Sequence, residues 1–118
     1  MRLVLKPPLG PTLTAVKHVT IAGKSLLMGD EVADALVRYA ALLGKVYSAD
    51  RVVVRSVGRD GEEVEADFLL NPGVVLMAES TTSGLPEPDN ADALRYLRDR
   101  MQQYEDYSMP DPETDQHF

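Results

Sequence analysis

The sequence predicts an α+β fold: a mainly antiparallel sheet of about five or six short strands, in the order β-ββ-α-βββ-α, with two helices packed on one face. Three observations predict it. Short segments alternate apolar and polar side chains and are closed by glycine or proline turns, as half-buried strands are. Two longer segments instead repeat their apolar residues every three or four positions, the period of a helix face. Hairpins and helices follow one another without the regular βαβ alternation of a parallel sheet.

The elements follow in order. Residues 2–6 form a short apolar run stopped by Pro7-Pro8, which cannot donate to a ladder, and this predicts an edge strand. Residues 17–21 put Val19 and Ile21 on one side and His18 and Thr20 on the other. Ala22-Gly23-Lys24-Ser25 is then a turn, and residues 26–28 return as the second strand of a hairpin. Asp30 is placed to cap a helix over residues 31–43, with Glu31 and Asp34 at the positive end of its dipole. Val32, Leu36, Tyr39 and Leu43 make its apolar stripe, and Gly44 fits the left-handed position after its end.

Residues 51–57 are rich in β-branched side chains and read as a strand. Residues 62–70 alternate, with Val64, Ala66, Phe68 and Leu70 on the core side and Glu63, Glu65 and Asp67 outside. A three-residue loop, Arg59-Asp60-Gly61 with the glycine left-handed, pairs Val52 with Phe68, Val54 with Ala66 and Arg55 with Glu65. A slip of one residue would bury the acids, so this register is well determined. Asn71-Pro72-Gly73 turns the chain into a further strand over residues 74–79, completing a three-stranded meander. A linker follows over residues 80–89. A second helix, from about residue 90 to 106, is capped by Pro88-Asp89-Asn90 and carries the stripe Leu94, Leu97, Met101, Tyr104. Arg95 and Asp99 are spaced for an i,i+4 ion pair. Residues 1–106 are thus expected to form a single domain, and residues 107–118 a disordered acidic tail.

The 118 residues are enough for one core, with 44% hydrophobic and 26% charged side chains. The net charge of −7 is uneven. Residues 1–80 hold nine basic against ten acidic side chains, and residues 81–118 three against nine. Without a basic stripe to release counterions from phosphates, nucleic-acid binding is not expected. No apolar run reaches the roughly 18 residues of a membrane span, and the first residues hold no signal-peptide core, so no membrane partner is expected and the cytoplasm is the expected location. The absence of cysteine removes disulfides, thiolate nucleophiles and Cys-ligated zinc.

Candidate chemistry is sparse. Gly23-Lys24-Ser25 ends as a phosphate-binding loop ends, but His18 stands where that loop needs its first glycine, and a strand follows instead of a helix. His18 and His117 lack partners at metal-ligand spacing. Ser80-Thr81-Thr82-Ser83 is a hydroxyl cluster without a nucleophile elbow. The row Glu63, Glu65, Asp67 falls on a solvated face, and helix capping accounts for Asp30, Glu31 and Asp34. No catalytic, cofactor-binding or metal-ligating residue is expected, and no cofactor. Aromatic and methionine side chains near the C-terminus, Tyr96, Met101, Tyr104 and Tyr107, are the candidate partner-binding set, since such side chains favour interfaces.

The function these features favour is a non-enzymatic protein–protein interaction or regulatory module. Its second helix and acidic tail would meet another protein with a basic surface, or a second copy in a homodimer. Two alternatives compete with it. One is a small ligand-binding protein or carboxylate-dependent enzyme with a pocket between the first helix and the sheet. The other is a subunit of an oligomeric assembly of viral type.

Overall fold

The computed structural model describes residues 15–108. Five strands and two helices follow in chain order: β1 (Val16–Ile21), β2 (Lys24–Gly29), α1 (Asp30–Lys45), β3 (Asp50–Val57), β4 (Glu63–Leu70), β5 (Leu76–Ser80) and α2 (Ala91–Ser108). The strands form one antiparallel sheet in the spatial order β4-β3-β2-β1-β5. The α+β class and the order of elements are those the alternation predicts. The expected edge strand over residues 2–6, and residues 109–118 of the expected tail, lie outside the described residues.

Ala22 and Gly23, with φ of 54° and 79°, form a two-residue turn of the type whose twist suits a hairpin, so Lys24 and Ser25 belong to β2 and not to the turn. In the second hairpin Val52 faces Phe68, Val54 faces Ala66 and Arg55 faces Glu65, as alternation requires. Gly61 takes φ of 84°, and the amides of Gly58 and Gly61 bond the carbonyls of Glu62 and Gly58 at 2.9 and 3.0 Å. The Arg55 guanidinium nevertheless reaches diagonally to Glu63 at 3.0 Å.

The expected meander does not form. β5 leaves β4 and pairs with β1 at the far edge, Val19 against Ala78. The reason is burial. Leu76 and Ala78 share the side of Val19 and reach the apolar face under α1, whereas beside β4 they would extend the sheet away from both helices. This crossing has a geometric consequence. Leu70 lies level with Asp50, seven residues beyond the Val57–Leu27 bridge, and Leu76 lies level with Ile21, three residues the other way from His18. In a flat sheet those ends would stand roughly 33 Å apart along the strands and about 19 Å across them. The six steps from Leu70 to Leu76 reach at most about 22 Å. The sheet is therefore rolled, its two edges drawn toward each other.

One core fills the inside of the roll. α1 contributes Val32, Leu36, Tyr39 and Leu43, the sheet Val19, Met28, Val54, Phe68 and Leu70, and α2 Leu97 and Met101. Both helices pack on this face. On the other face Val16, Leu27 and Val57 form a small buried cluster, and Arg51, Arg55, Glu63 and Glu65 meet water.

The helix ends differ from expectation. Asp30 lies inside the first turn of α1, and Gly29 is the cap residue, extended and without a side-chain cap bond. The Asp30 amide donates to the Ala15 carbonyl at 2.9 Å, which satisfies the first free amide of the helix from β1's side. The Asp30 side chain turns to Lys17 instead, 3.4 Å away, and Asp34 holds the same ammonium at 2.6 Å. A Cβ at residue 29 would collide with the carboxylate end of Glu87, so the linker closes over a position without a side chain. At the other end α1 runs through Gly44 to Lys45, and Tyr47 takes the left-handed position at φ of 53°. The Ser48 amide bonds the Leu43 carbonyl at 3.0 Å around it. In α2, Arg95 pairs with Asp92 at 3.0 Å and not with Asp99.

Candidate functional site

Two places concentrate structure beyond ordinary packing: a polar knot at Asp50 and an open trough along β4, the outermost described strand on its side of the sheet. The knot joins three elements. Asp50 begins β3, Tyr39 sits on the buried stripe of α1, and Tyr96 and Arg100 lie one turn apart on α2. A tyrosine ring on a core stripe must find a partner for its hydroxyl. Tyr39, which has no exposed surface, donates to Asp50 Oδ2. Tyr96 donates to the same oxygen at 2.6 Å, and the Arg51 amide donates to Oδ1 at 2.7 Å. Arg100 donates to the Tyr39 hydroxyl at 3.3 Å and stands 3.8 Å from Asp50. Tyr104 completes the group, 5.5 Å under the Arg100 guanidinium and 6.1 Å from the Tyr39 ring.

The electrostatics follow from these contacts. Burial pushes the Asp50 carboxyl up, but the Tyr39 and Tyr96 hydroxyls, the Arg51 amide and the Arg100 charge outweigh it and hold the group below its ordinary value. Burial, and then the bond to Asp50, raise Tyr39 well above an ordinary tyrosine, against the pull of Arg100. Tyr96 is raised first by its bond to the Asp50 carboxylate. Asp50 is thus a carboxylate whose acceptor directions are taken by its own domain. It does not line the trough along β4. The knot is a clasp that fixes α2 across α1 and β3.

The trough lies where the rolled sheet extends past both helices. It has a volume of about 840 Å³ and mostly apolar walls. Its floor is Ile21, Leu26, Val64, Ala66 and Phe68, and its rims are the turn at Ala22, the loop at Arg59 and Asp60, and Val74. Alternation placed Val64 and Ala66 on the core side correctly, yet no helix covers them and Val64 is 40% exposed. The wall follows β4 continuously from Val64 to Leu69, so the hollow runs along an edge of the sheet that is unpaired among the described residues.

The candidates from the sequence fall in separate places. Met101 is buried in the core, and Tyr104 packs on Tyr39 and Arg100. Tyr96 is 40% exposed with its hydroxyl on Asp50. The side chain of Tyr107 is outside the described set. His18 stands on the outer face between Leu27 and Glu79. Gly23-Lys24-Ser25 crosses from the first hairpin turn into β2, with no helix N-terminus following. Thr81 and Ser83 accept bonds from the amides of Ser83 and Leu85, as linker turns do. Among the described residues no three His, Asp or Glu side chains are grouped to hold a metal ion. No described helix is long and apolar enough to cross a membrane.

Asp50 and Asn90 escaped sequence reasoning. The signal for Asp50 was Tyr39 itself, a hydroxyl on a buried stripe that needed an acceptor. Asn90 reads as a cap, but its amide accepts from the Arg55 N–H at 2.8 Å and donates to the Arg55 carbonyl at 2.8 Å. The Leu27–Val57 bridge sets Gly29, the last residue of β2, level with Arg55, and Asn90 takes the bonds that a continued β2–β3 ladder would make there. Comparison of the chain with models of protein families, with curated proteins and with solved structures gave no match.

Proposed function

We propose that this chain is a non-enzymatic protein–protein interaction or regulatory module of the cytoplasm, and that its contact surface is the trough along β4. The observation that carries the reading is an apolar hollow of about 840 Å³ left uncovered by either helix and continuous with a strand edge that is unpaired among the described residues. Apolar surface of that kind, rimmed by charged side chains, marks binding sites. The stripe on α2 supports the same placement, since Leu97 and Met101 are spent on the chain's own core. The acidic excess of residues 81–118 favours a partner with a basic surface.

The test is co-purification from the native host with the full chain and with Ala66→Arg, which sets a charge on the trough floor. A partner retained by the wild type and lost by the variant, with equal melting temperatures, is the expected result. Recovery of the same partners by both, or of none by the wild type, overturns the reading. The volume of the trough also falls in the range of small-molecule sites, roughly 300–1,000 Å³, which favours ligand binding as a second reading. Native mass spectrometry of the protein purified from its host separates the two, because a small ligand adds a discrete mass of a few hundred daltons.

A further inference from the structure

The backbone of β4 decides how such a partner would bind. In an antiparallel pair, residues that exchange both hydrogen bonds alternate with residues whose groups point away. Two observations fix which is which here. The Gly58 amide bonds the Glu62 carbonyl, so the pairs with even numbers on both strands are the bonded ones. Independently, the Arg55 N–H and C=O are both taken by Asn90 on the side away from β4, so Arg55 and Glu65 exchange none. Glu63, Glu65, Asp67 and Leu69 therefore aim their amides and carbonyls outward, along an edge that no other strand among the described residues pairs. The same edge has two unlike sides. Val64, Ala66 and Phe68 share the side of Val52 and Val54 and line the trough, while Glu63, Glu65 and Asp67 alternate to the side of Arg51 and Arg55, Glu65 and Asp67 also reaching the lip of the trough.

We infer that β4 binds its partner by strand addition, taking an extended segment of another protein in which basic and apolar residues alternate. The inference rests on the interaction reading above. The segment's amides and carbonyls meet the four outward residues, its apolar side chains fill the trough, and its basic ones stand opposite the acidic row. Added strands in general gain affinity from the main chain and specificity from the alternate side chains. Charge decides against a second copy as the occupant. An antiparallel pairing of β4 with itself that keeps most of the strand opposes Glu65 to Asp67, Glu65 to itself or Asp67 to itself. Like charges directly opposite are destabilising. Arg51 and Arg55 do bond Asp67 and Glu63, at 2.8 and 3.0 Å, but both pairs are exposed and weak, and Glu65 has no such partner among the described residues.

The experiment uses the full chain and a synthetic seven-residue peptide alternating Lys and Val. Amide hydrogen exchange is read residue by residue with and without peptide. Slowing of at least tenfold at Glu63, Glu65, Asp67 and Leu69, with no change at Val64, Ala66 and Phe68, is expected. The same peptide with Glu for Lys is expected to bind at least tenfold more weakly, and so is the Lys–Val peptide to Glu65→Lys. No alternating protection at those four amides overturns strand addition. If Ala66→Arg still abolishes capture of the native partner in that case, the interaction reading survives by another mode. A concentration-dependent dimer that protects the same amides overturns the choice of occupant in favour of a second copy. Peptide binding that begins only when Arg2 and Lys6 are both changed to Glu assigns the edge to the chain's own first residues, and likewise overturns the claim for a partner.

Discussion

Asp50 shows how a single side chain can hold two helices and a strand in one arrangement. Its carboxylate accepts from Tyr39 of α1, Tyr96 of α2 and the Arg51 amide beside it. Asp50→Ala removes the carboxylate acceptor of the buried Tyr39 hydroxyl and leaves it beside Arg100, at 3.3 Å, and Tyr96. The expected loss is about 1–3 kcal/mol at neutral pH, measured by urea titration. The pH dependence has a definite sign at each end. The Asp50 pKa is lowered in the folded chain, so its contribution is complete above the ordinary carboxylate value near ~4 and is lost as pH falls through the folded value. The Tyr39 pKa is raised, so its contribution is complete below about 10 and is lost as pH rises through the folded value. Stability profiles of Asp50→Ala and Tyr39→Phe are therefore expected to lose, respectively, an acid arm and an alkaline arm that the wild type has. Profiles parallel to the wild type would show that the clasp does not titrate.

Helix α1 illustrates how an element's existence and its ends answer to different physics. The spacing of Val32, Leu36, Tyr39 and Leu43 identified the helix, and all four are buried. Its ends were misplaced because tertiary partners replaced local capping: the Ala15 carbonyl at one end, and a left-handed Tyr47 in place of Gly44 at the other. A tyrosine in that conformation carries a steric penalty that glycine lacks. Its side chain is 86% exposed and gives little back by packing. Tyr47→Gly is expected to raise stability by about 1 kcal/mol, seen as a higher midpoint in a denaturant titration. A lower midpoint would mean that the ring makes contacts of value. The β3–β4 hairpin was legible to the residue because a slip would have buried three acids. The partner of β5 was not legible. A short strand of five residues can satisfy its alternation beside either edge, and the choice depends on where the helices leave apolar surface. The trough was hidden for the same reason: alternation tells which way Val64 and Ala66 face, and nothing of what stands above them.

At the scale of the molecule, one core is shared by all layers. α2 enters it through Leu97, which has no exposed surface, and Met101. Leu97→Ala is expected to cost about 2–5 kcal/mol, a large part of the roughly 5–15 kcal/mol that holds a domain of this kind together. Because the cavity opens between α2, α1 and β3, helix and sheet signals are expected to melt together at the lower temperature. Circular dichroism and tyrosine fluorescence should give coincident curves. Separate transitions would mean that α2 unfolds alone. The strand order carries one more consequence, for the nascent chain. β1 is made first among the described strands but sits inside the sheet, and its outer flank is closed only by β5, some sixty residues later. Both hairpins are local and assemble quickly, whereas this last pairing must close a long loop. Until synthesis passes residue 80, Val19 and Ile21 lie on a raw margin, and that interval is when the polypeptide is most exposed to mispairing with its neighbours.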